Sequence, residues 1–192
     1  MIDAKSEAIK AICTALSSSG LDLAASLARD RYPFVPEPLG TRKYGPREST
    51  RVFIRDGFID RYSGEKLIYP PVLRALSHAL PEEFPYHPNW KADSTHSSYW
   101  EAGATIDHLV PVTRGGEDNE SNWFTTSMAR NSAKMNWTLE ELGWELHPPG
   151  RIDEWDGMFD WFLRYAEAEP AVLKTGNVGQ WVRAAKAAVG GS

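Results

Sequence analysis

The amino-acid sequence predicts an α+β fold in which a short antiparallel hairpin and a following helix are embedded in a mainly helical single domain. Two short apolar runs, Thr105-Ile106 and residues 123–125, have the composition of strands and are separated by a polar loop rich in turn residues. Much of the remaining chain repeats its apolar residues at helical spacing. A length of 192 residues suits one domain with a proper core.

The N-terminal segment, residues 1–45, is expected to form two helices and a connector. The first helix is predicted over residues 3–16, where Ile9 and Leu16 belong to an apolar set at helical spacing, and the second over residues 22–29. The rest of the segment is rich in proline and glycine, which exclude a helix there.

The central segment, residues 46–137, contains the predicted hairpin. A short helix is expected over residues 48–56, and a second helix should begin at Pro70 and end before Pro81. An irregular, aromatic-rich insertion over residues 81–100 then precedes the hairpin and could form one wall of a substrate groove.

The C-terminal segment, residues 138–192, is predicted to be a helical extension. Thr138 and Glu141 have the spacing of a capping box, Asp153 is expected to cap a longer helix, and a last helix is expected over residues 177–189. The aromatic residues of these helices have helical spacing and acidic neighbours, which favours core packing over base stacking.

The hairpin region carries the residues with the strongest chemical signal. Asp107 and His108 stand side by side where the first strand should end, and Thr126 or Ser127 can cap the helix that follows the second strand. Asn131 and Lys134 are three residues apart, so both should project from one face of that helix.

If the two strands pair as a hairpin and the helix packs across them, Asp107, His108 and Asn131 converge at one end of the unit, which favours a hard divalent cation. A carboxylate oxygen of Asp107 and an amide oxygen of Asn131 are the kind of ligands that Mg²⁺ accepts, together with water and substrate phosphate. His108 is free to act as a base, because an imidazole side chain can take a proton from a water molecule directed at phosphorus.

The pattern resembles the signature of the HNH endonucleases, the ββα-metal nuclease superfamily. It consists of Asp107-His108, Asn122 and Asn131-x-x-Lys134. The resemblance implies a ββα-metal core in which His108 is the catalytic base. It also implies that Asp107 and Asn131 hold Mg²⁺, with Mn²⁺ as a substitute, that Asn122 shapes the loop, and that Lys134 contacts a neighbouring phosphate.

The resemblance extends over about residues 50–137. It includes the region that forms a structural zinc site in many family members, but the zinc ligands are missing here. Where many family members have two pairs of zinc-binding cysteines, this chain has Asp60 and Ser63, then Ser127 and Arg130. These side chains cannot form a tetrahedral thiolate cage, so we expect no structural zinc.

The resemblance implies that the partner is nucleic acid, with double-stranded DNA as the first choice. The net charge of −5 is unfavourable for binding a polyanion. The charge is unevenly distributed: residues 41–61 contain six basic residues against three acids, whereas residues 138–169 contain nine acids against two arginines. A local basic face can still steer a polyanion. The expected nucleic-acid contacts are Arg42, Lys43, Arg47, Arg51, Arg55, Arg61, Arg114 and Arg130.

Other features of the sequence bear on the cellular location of the protein and on alternative functions. The sequence lacks a long apolar run and a signal-peptide pattern, which predicts a cytoplasmic protein without membrane contact; homodimerisation stays open. The single cysteine, Cys13, excludes an intramolecular disulfide and is expected to be buried on its helix. Two alternatives are a non-catalytic nucleic-acid-binding module of the same fold and a toxin-type nuclease neutralised by an inhibitor protein, a class that tends to be strongly basic.

Overall fold

The computed structural model describes residues 2–34 and 44–190. Its contacts divide the chain into two compact units, Met1–Thr41 and Arg42–Ser192, where the sequence predicted a single domain. The helices and strands are α1 (Ile2–Ser18), α2 (Leu21–Arg31), α3 (Pro46–Arg55), α4 (Pro70–Ala79), α5 (Ser98–Glu101), β1 (Ala104–His108), β2 (Trp123–Ser127), α6 (Met128–Lys134), α7 (Leu139–Leu142), α8 (Phe159–Ala168) and α9 (Val178–Val189). This mixture of helices with an antiparallel hairpin is the predicted α+β class.

The first unit contains α1 and α2, which pack on each other. Both predicted helices are present, but their buried residues are alanines such as Ala8 and Ala15, whereas Ile9 and Leu16 are half exposed. Small side chains allow two helices to approach closely, so spacing alone misidentified the buried face. Cys13, expected to be buried, is exposed.

The core of the second unit is built around Tyr69. This side chain is fully buried, and its ring lies 5.1 Å from the ring of Phe159, 5.6 Å from Phe162 and 5.8 Å from Phe58, measured between centroids. Burial raises the pKa of Tyr69, and its hydroxyl lies 2.8 Å from the hydroxyl of Thr50 on α3. The aromatic residues of α8 therefore belong to the core, as their spacing predicted.

The hairpin pairs β1 with β2 in antiparallel register, with Asp107 opposite Phe124 and His108 opposite Trp123. Of the two candidate caps, Ser127 caps α6: its hydroxyl accepts a hydrogen bond from the backbone N–H of Arg130. The helix then packs across both strands. The order of strand, loop, strand and helix is the one the sequence predicted.

The start of α8 corrects the prediction that Asp153 caps this helix. Gly157 and Met158 have φ angles of 63°, in the left-handed region, which prevents a helix from running through them. The Asp156 carboxylate accepts hydrogen bonds from the backbone N–H groups of Met158 and Asp160, whereas Asp153 forms an ion pair with Arg151. The helix consequently begins at Phe159.

Other predicted elements agree with the structure. The helices α3, α4 and α9 begin and end within about two residues of their predicted bounds, a normal uncertainty at helix ends. The capping box of Thr138 and Glu141 is present, and Gly143 ends that turn in the left-handed conformation. Over the described ranges, the chain has no helix with the length and apolar character needed to span a bilayer.

Candidate active site at the end of the hairpin

The last two residues of β1 present their side chains to different surroundings because successive strand residues point to opposite faces. Asp107 is directed toward Tyr62 and Lys134, and His108 is directed toward Asp118 and Trp123. The hairpin and α6 bring the Asn131 side chain to the carbonyl of Ile106, next to Asp107 and His108 in the chain. That the three side chains share one metal site stays a prediction.

The His108 imidazole is held by a carboxylate that the sequence did not single out. Its Nε2 lies 2.9 Å from Oδ1 of Asp118, and the indole Nε1 of Trp123 lies 3.0 Å from the same oxygen. An ionised carboxylate only accepts hydrogen bonds and an indole N–H only donates, so the arrangement that satisfies all three groups directs both N–H groups at Asp118. The indole Nε1 also lies 3.1 Å from Nε2 itself, so this arrangement assigns a proton to Nε2 of His108 and leaves the lone pair on Nδ1, which receives no hydrogen bond from the described residues.

The Asp107 carboxylate is anchored through one oxygen. Its Oδ2 accepts a hydrogen bond of 2.8 Å from the hydroxyl of Tyr62 and lies 2.9 Å from the ammonium of Lys134. Burial and the neighbouring Asp107 charge raise the pKa of Tyr62, so this phenol stays protonated and continues to donate. The other oxygen, Oδ1, receives no hydrogen bond from the described residues.

Lys134 occupies a different place from the one expected for a phosphate contact. Its side chain is 0% exposed, and its ammonium donates to the backbone carbonyl of His108 at 2.8 Å in addition to pairing with Asp107. A buried ammonium that is already paired cannot reach a substrate phosphate without breaking these contacts. We therefore correct its role: Lys134 fixes the carboxylate and the end of β1.

Asn122 closes the loop between the strands, as the resemblance implied. Its amide oxygen accepts from the N–H of Val110, and its amide nitrogen donates to the carbonyls of Val110 and Glu117. The loop passes so close to itself that a Cβ on Gly116 would lie 1.9 Å from the carbonyl oxygen of Val110. Only glycine fits there, which explains one of the two adjacent glycines.

The orientation of Asn131 leaves its amide oxygen available. The amide nitrogen donates a hydrogen bond of 3.0 Å to the carbonyl of Ile106, which fixes the assignment of nitrogen and oxygen. The free amide oxygen and the free Oδ1 of Asp107 are hard donors of the type that Mg²⁺ accepts, so the donor set fits this cation. Within residues 2–34 and 44–190, no three His, Cys, Asp or Glu side chains gather as a metal site, so further ligands would be water or substrate oxygens.

Asp60 links the region of the missing zinc ligands to the hairpin. Its buried carboxylate accepts hydrogen bonds from the backbone N–H of Tyr62 at 2.9 Å, the hydroxyl of Thr126 at 3.0 Å and the backbone N–H of Ser127 at 2.9 Å. Ser63 and Arg130, which also stand at zinc positions, both contact Glu65. The Glu65 carboxylate accepts a hydrogen bond from the Ser63 hydroxyl and lies 4.0 Å from the Arg130 guanidinium. Hydrogen bonds and one ion pair therefore connect all four positions without cysteine.

The basic residues expected to contact nucleic acid have different environments. Arg42 and Lys43 lie outside the described residues. Four arginines are exposed or partly exposed, and three of them pair with acids, namely Arg51 with Glu120, Arg114 with Glu141 and Arg130 with Glu65, whereas Arg47 has no ion pair to a described residue. Such surface pairs are weak and can exchange partners for phosphate.

Two further arginines hold the structure together. Arg61 is only 8% exposed and donates to Asp56 and to the carbonyl of His147. This position corrects its assignment as a nucleic-acid contact, because the guanidinium is directed inward. Arg55 also donates to the Asp56 carboxylate and to the carbonyl of Trp123, although part of its side chain remains exposed.

The residues that sequence reasoning missed are Asp118, Trp123, Tyr62 and Asp60 as partners of the site. Asp118 lies in a polar loop with Glu117 and Glu120, and nothing in its local pattern separates it from them. The partner of Asp107 lies 45 residues earlier in the chain. Trp123 offered the one usable signal, since an antiparallel pair of β1 and β2 would set its side chain near His108.

Comparisons with known proteins give no family assignment. No protein-family model matches the sequence, no curated protein matches it, and no solved structure matches the fold significantly.

Proposed function

We propose that this protein is a metal-dependent endonuclease of the HNH type that hydrolyses phosphodiester bonds, with double-stranded DNA as its expected substrate. In this proposal β1, β2 and α6 form the ββα-metal core. The observation that supports it most strongly is that Asp107 and His108 end β1 while Asn131 of α6 donates to the carbonyl of Ile106, the residue just before them. The signature residues also occur in the expected order.

The chemistry follows from the free atoms of these side chains. Nδ1 of His108 takes a proton from the water molecule that attacks phosphorus. Asp107 and Asn131 would hold Mg²⁺ or Mn²⁺, which when bound supplies positive charge against the developing charge on the phosphoryl and leaving oxygens.

The surrounding residues act by positioning. Asp118 accepts the Nε2–H of His108, which selects the tautomer with its lone pair on Nδ1, and stabilises the imidazolium that forms when the water proton is taken. Lys134 and Tyr62 hold one oxygen of Asp107 so that the other remains directed away from them. Asn122 keeps the loop closed and holds the backbone at Val110, two residues after His108.

A non-catalytic nucleic-acid-binding module is the second candidate, and one observation favours it. The ammonium of Lys134 already neutralises the Asp107 carboxylate, which weakens the attraction of that carboxylate for a cation. The two candidates differ in a simple way, because a module of this kind would bind nucleic acid without cutting it. A toxin-type nuclease receives no such support, since the chain is acidic overall.

The proposal is tested by incubating the purified protein with supercoiled plasmid, linear duplex, single-stranded DNA and RNA. We expect Mg²⁺ or Mn²⁺ to permit cleavage of plasmid DNA and EDTA to abolish it, because the site offers oxygen ligands and no alternative electrophile. Products are separated by gel electrophoresis at several time points. Cleavage that persists in EDTA would contradict the mechanism, and binding without cleavage in any metal would favour the second candidate.

A further inference from the structure

A cavity of about 560 Å³ opens beside β1, and its lining includes the core residues Phe53, Ala104 and Ile106. Its wall includes Tyr86, Trp90 and Tyr99 from the aromatic-rich insertion, together with Trp181 of α9 and Thr105 of β1. This volume is in the range of small-molecule binding sites, which are mostly apolar with a few polar groups that fix orientation. Aromatic side chains and a mostly apolar wall suit a planar ring system.

Arg74 supplies the charge of this cavity. It is the single charged side chain among the residues that line it, and no carboxylate among the described residues pairs with it. Its guanidinium carbon lies 3.4 Å from the centre of the Tyr86 ring, so the group is stacked and held in place. Its Nη1 is buried and lacks a hydrogen-bond partner among the described residues.

A buried guanidinium nitrogen without an acceptor is costly and points to an absent anionic or carbonyl oxygen. The nearby Tyr99 phenol does not balance the charge. Burial raises the pKa of Tyr99, so it remains neutral, and its hydroxyl is engaged with Ser77, with the carbonyl of Leu73 and with the Arg74 side chain.

Trp90 adds an independent sign of a binding site. Its φ angle is 49°, a left-handed conformation that a bulky residue rarely adopts and that tends to occur at functional positions. The strained backbone presents the indole to the cavity, where it lies 5.7 Å from the ring of Tyr99 in an edge-to-face arrangement.

The cavity is connected to the candidate active site through Tyr44. This side chain lines the cavity, and its ring lies 6.2 Å from the ring of His108 and 5.3 Å from that of Trp123. Thr105 and Ile106, which also line the cavity, directly precede the Asp107-His108 pair on β1. A ligand that contacts Thr105 or Ile106 in the cavity would therefore lie within three residues of His108 along β1.

We propose that this cavity binds one nucleotide, with the base among the aromatic side chains and a phosphate or base carbonyl oxygen on the guanidinium of Arg74. The inference rests on the proposed function, because that function supplies the nucleotide. The nucleotide would belong to the substrate strand and be turned out of the base stack beside the cleaved bond. A base turned out of its stack needs an aromatic pocket with a few polar contacts, which is what this cavity offers. A free nucleotide has the same chemistry and is the other source.

The test measures binding in EDTA, so that no cleavage is required. Full-length wild-type protein, Arg74→Met and Arg164→Met are titrated with deoxyadenosine monophosphate and with a short single-stranded oligonucleotide, by calorimetry and fluorescence anisotropy. Arg164 is the matched control because it is exposed and pairs with Asp160 on its own helix. We expect Arg74→Met to weaken binding roughly 10- to 100-fold, the usual value of a charge-assisted hydrogen bond, and Arg164→Met to change it less than about twofold.

The two ligands separate the two sources. Weakened binding of the oligonucleotide supports a nucleotide of the strand, and weakened binding of the mononucleotide alone supports a free nucleotide. Unchanged affinity of Arg74→Met for both ligands would overturn the proposal. Cleavage is not measured, so weaker binding by Arg74→Met would support the cavity proposal even if the protein were not a nuclease. If the protein is a metal-dependent nuclease and Arg74→Met binds as the wild type does, only the cavity proposal is refuted.

A measurement on the wild-type protein covers the case in which Arg74→Met does not fold. In the ¹⁵N-labelled protein, the same ligands should shift the indole N–H resonances of Trp90 and Trp181 and leave that of Trp161 unchanged. Trp161 stacks on Tyr165 and does not line the cavity. Shifts of Trp161 without shifts of Trp90 would exclude binding in the cavity.

Discussion

The His108→Ala variant is expected to lose about 10²- to 10⁴-fold in the rate of plasmid cleavage, the usual contribution of a general base. The reason is the free Nδ1 of His108, which no other described residue can replace at the end of β1. The rate should be measured under single-turnover conditions with saturating Mg²⁺. Thermal unfolding should accompany it, because the Nε2–H of His108 also satisfies Asp118.

His78→Ala is the matched control for this prediction. His78 lies on α4, is exposed and contacts the hydroxyl of Thr175, so its removal should leave the cleavage rate within about twofold. An Asp118→Asn variant should fall between the two, since it keeps the shape of the site and removes the charge that stabilises the imidazolium. Equal rates for His108→Ala and wild type would mean that the base has been misassigned.

The second large effect concerns stability and Asp60. Asp60→Ala should lower the free energy of unfolding by about 3–5 kcal/mol, because the buried N–H groups of Tyr62 and Ser127 and the hydroxyl of Thr126 lose their acceptor together. For a unit of this size we expect a fall in melting temperature on the order of 10 °C. Urea and thermal unfolding followed by circular dichroism provide the measurement.

Ser63→Ala is the control for Asp60, since both residues stand at zinc positions of the resembling family. Ser63 donates to the exposed Glu65, so its loss should cost less than about 0.5 kcal/mol. Metal analysis of the purified wild-type protein should find no stoichiometric zinc. Two results would contradict the role given to the hydrogen bonds of Asp60 in stabilising the hairpin. One is an Asp60→Ala variant as stable as the wild type, and the other is one tightly bound zinc ion in every chain.

Local chemistry made the central part of the fold predictable. The β-branched and aromatic runs mark β1 and β2, Ser127 has the side chain of a helix cap, and Thr138 and Glu141 have the spacing of a capping box. Because strand, loop and helix follow one another directly, the order of the residues also fixed which of them would meet. Asn131 and Lys134 accordingly reach the carbonyls of Ile106 and His108 on β1.

Other features depend on distant parts of the chain and could not be predicted. The burial of Lys134 results from contacts with Tyr62 and Asp107, which its own helix does not reveal. The left-handed conformation of Met158 moved the start of α8, although methionine carries no such signal. Arg74 looks like an ordinary helical arginine in sequence. Only the packing of the insertion against α4 shows that it stacks on Tyr86 and that its Nη1 is buried without an acceptor among the described residues.

The most direct test of the account is to locate a divalent ion by paramagnetic relaxation. Substoichiometric Mn²⁺ is added to the ¹⁵N-labelled protein, and the signals that broaden first are identified. We predict early broadening of the Asn131 side-chain amide and of the backbone amides of Asp107 and His108, and its loss in an Asp107→Asn variant. Early broadening confined to the acidic residues after Thr138, with the Asn131 amide unaffected, would contradict the claim that Asp107 and Asn131 hold the metal beside His108.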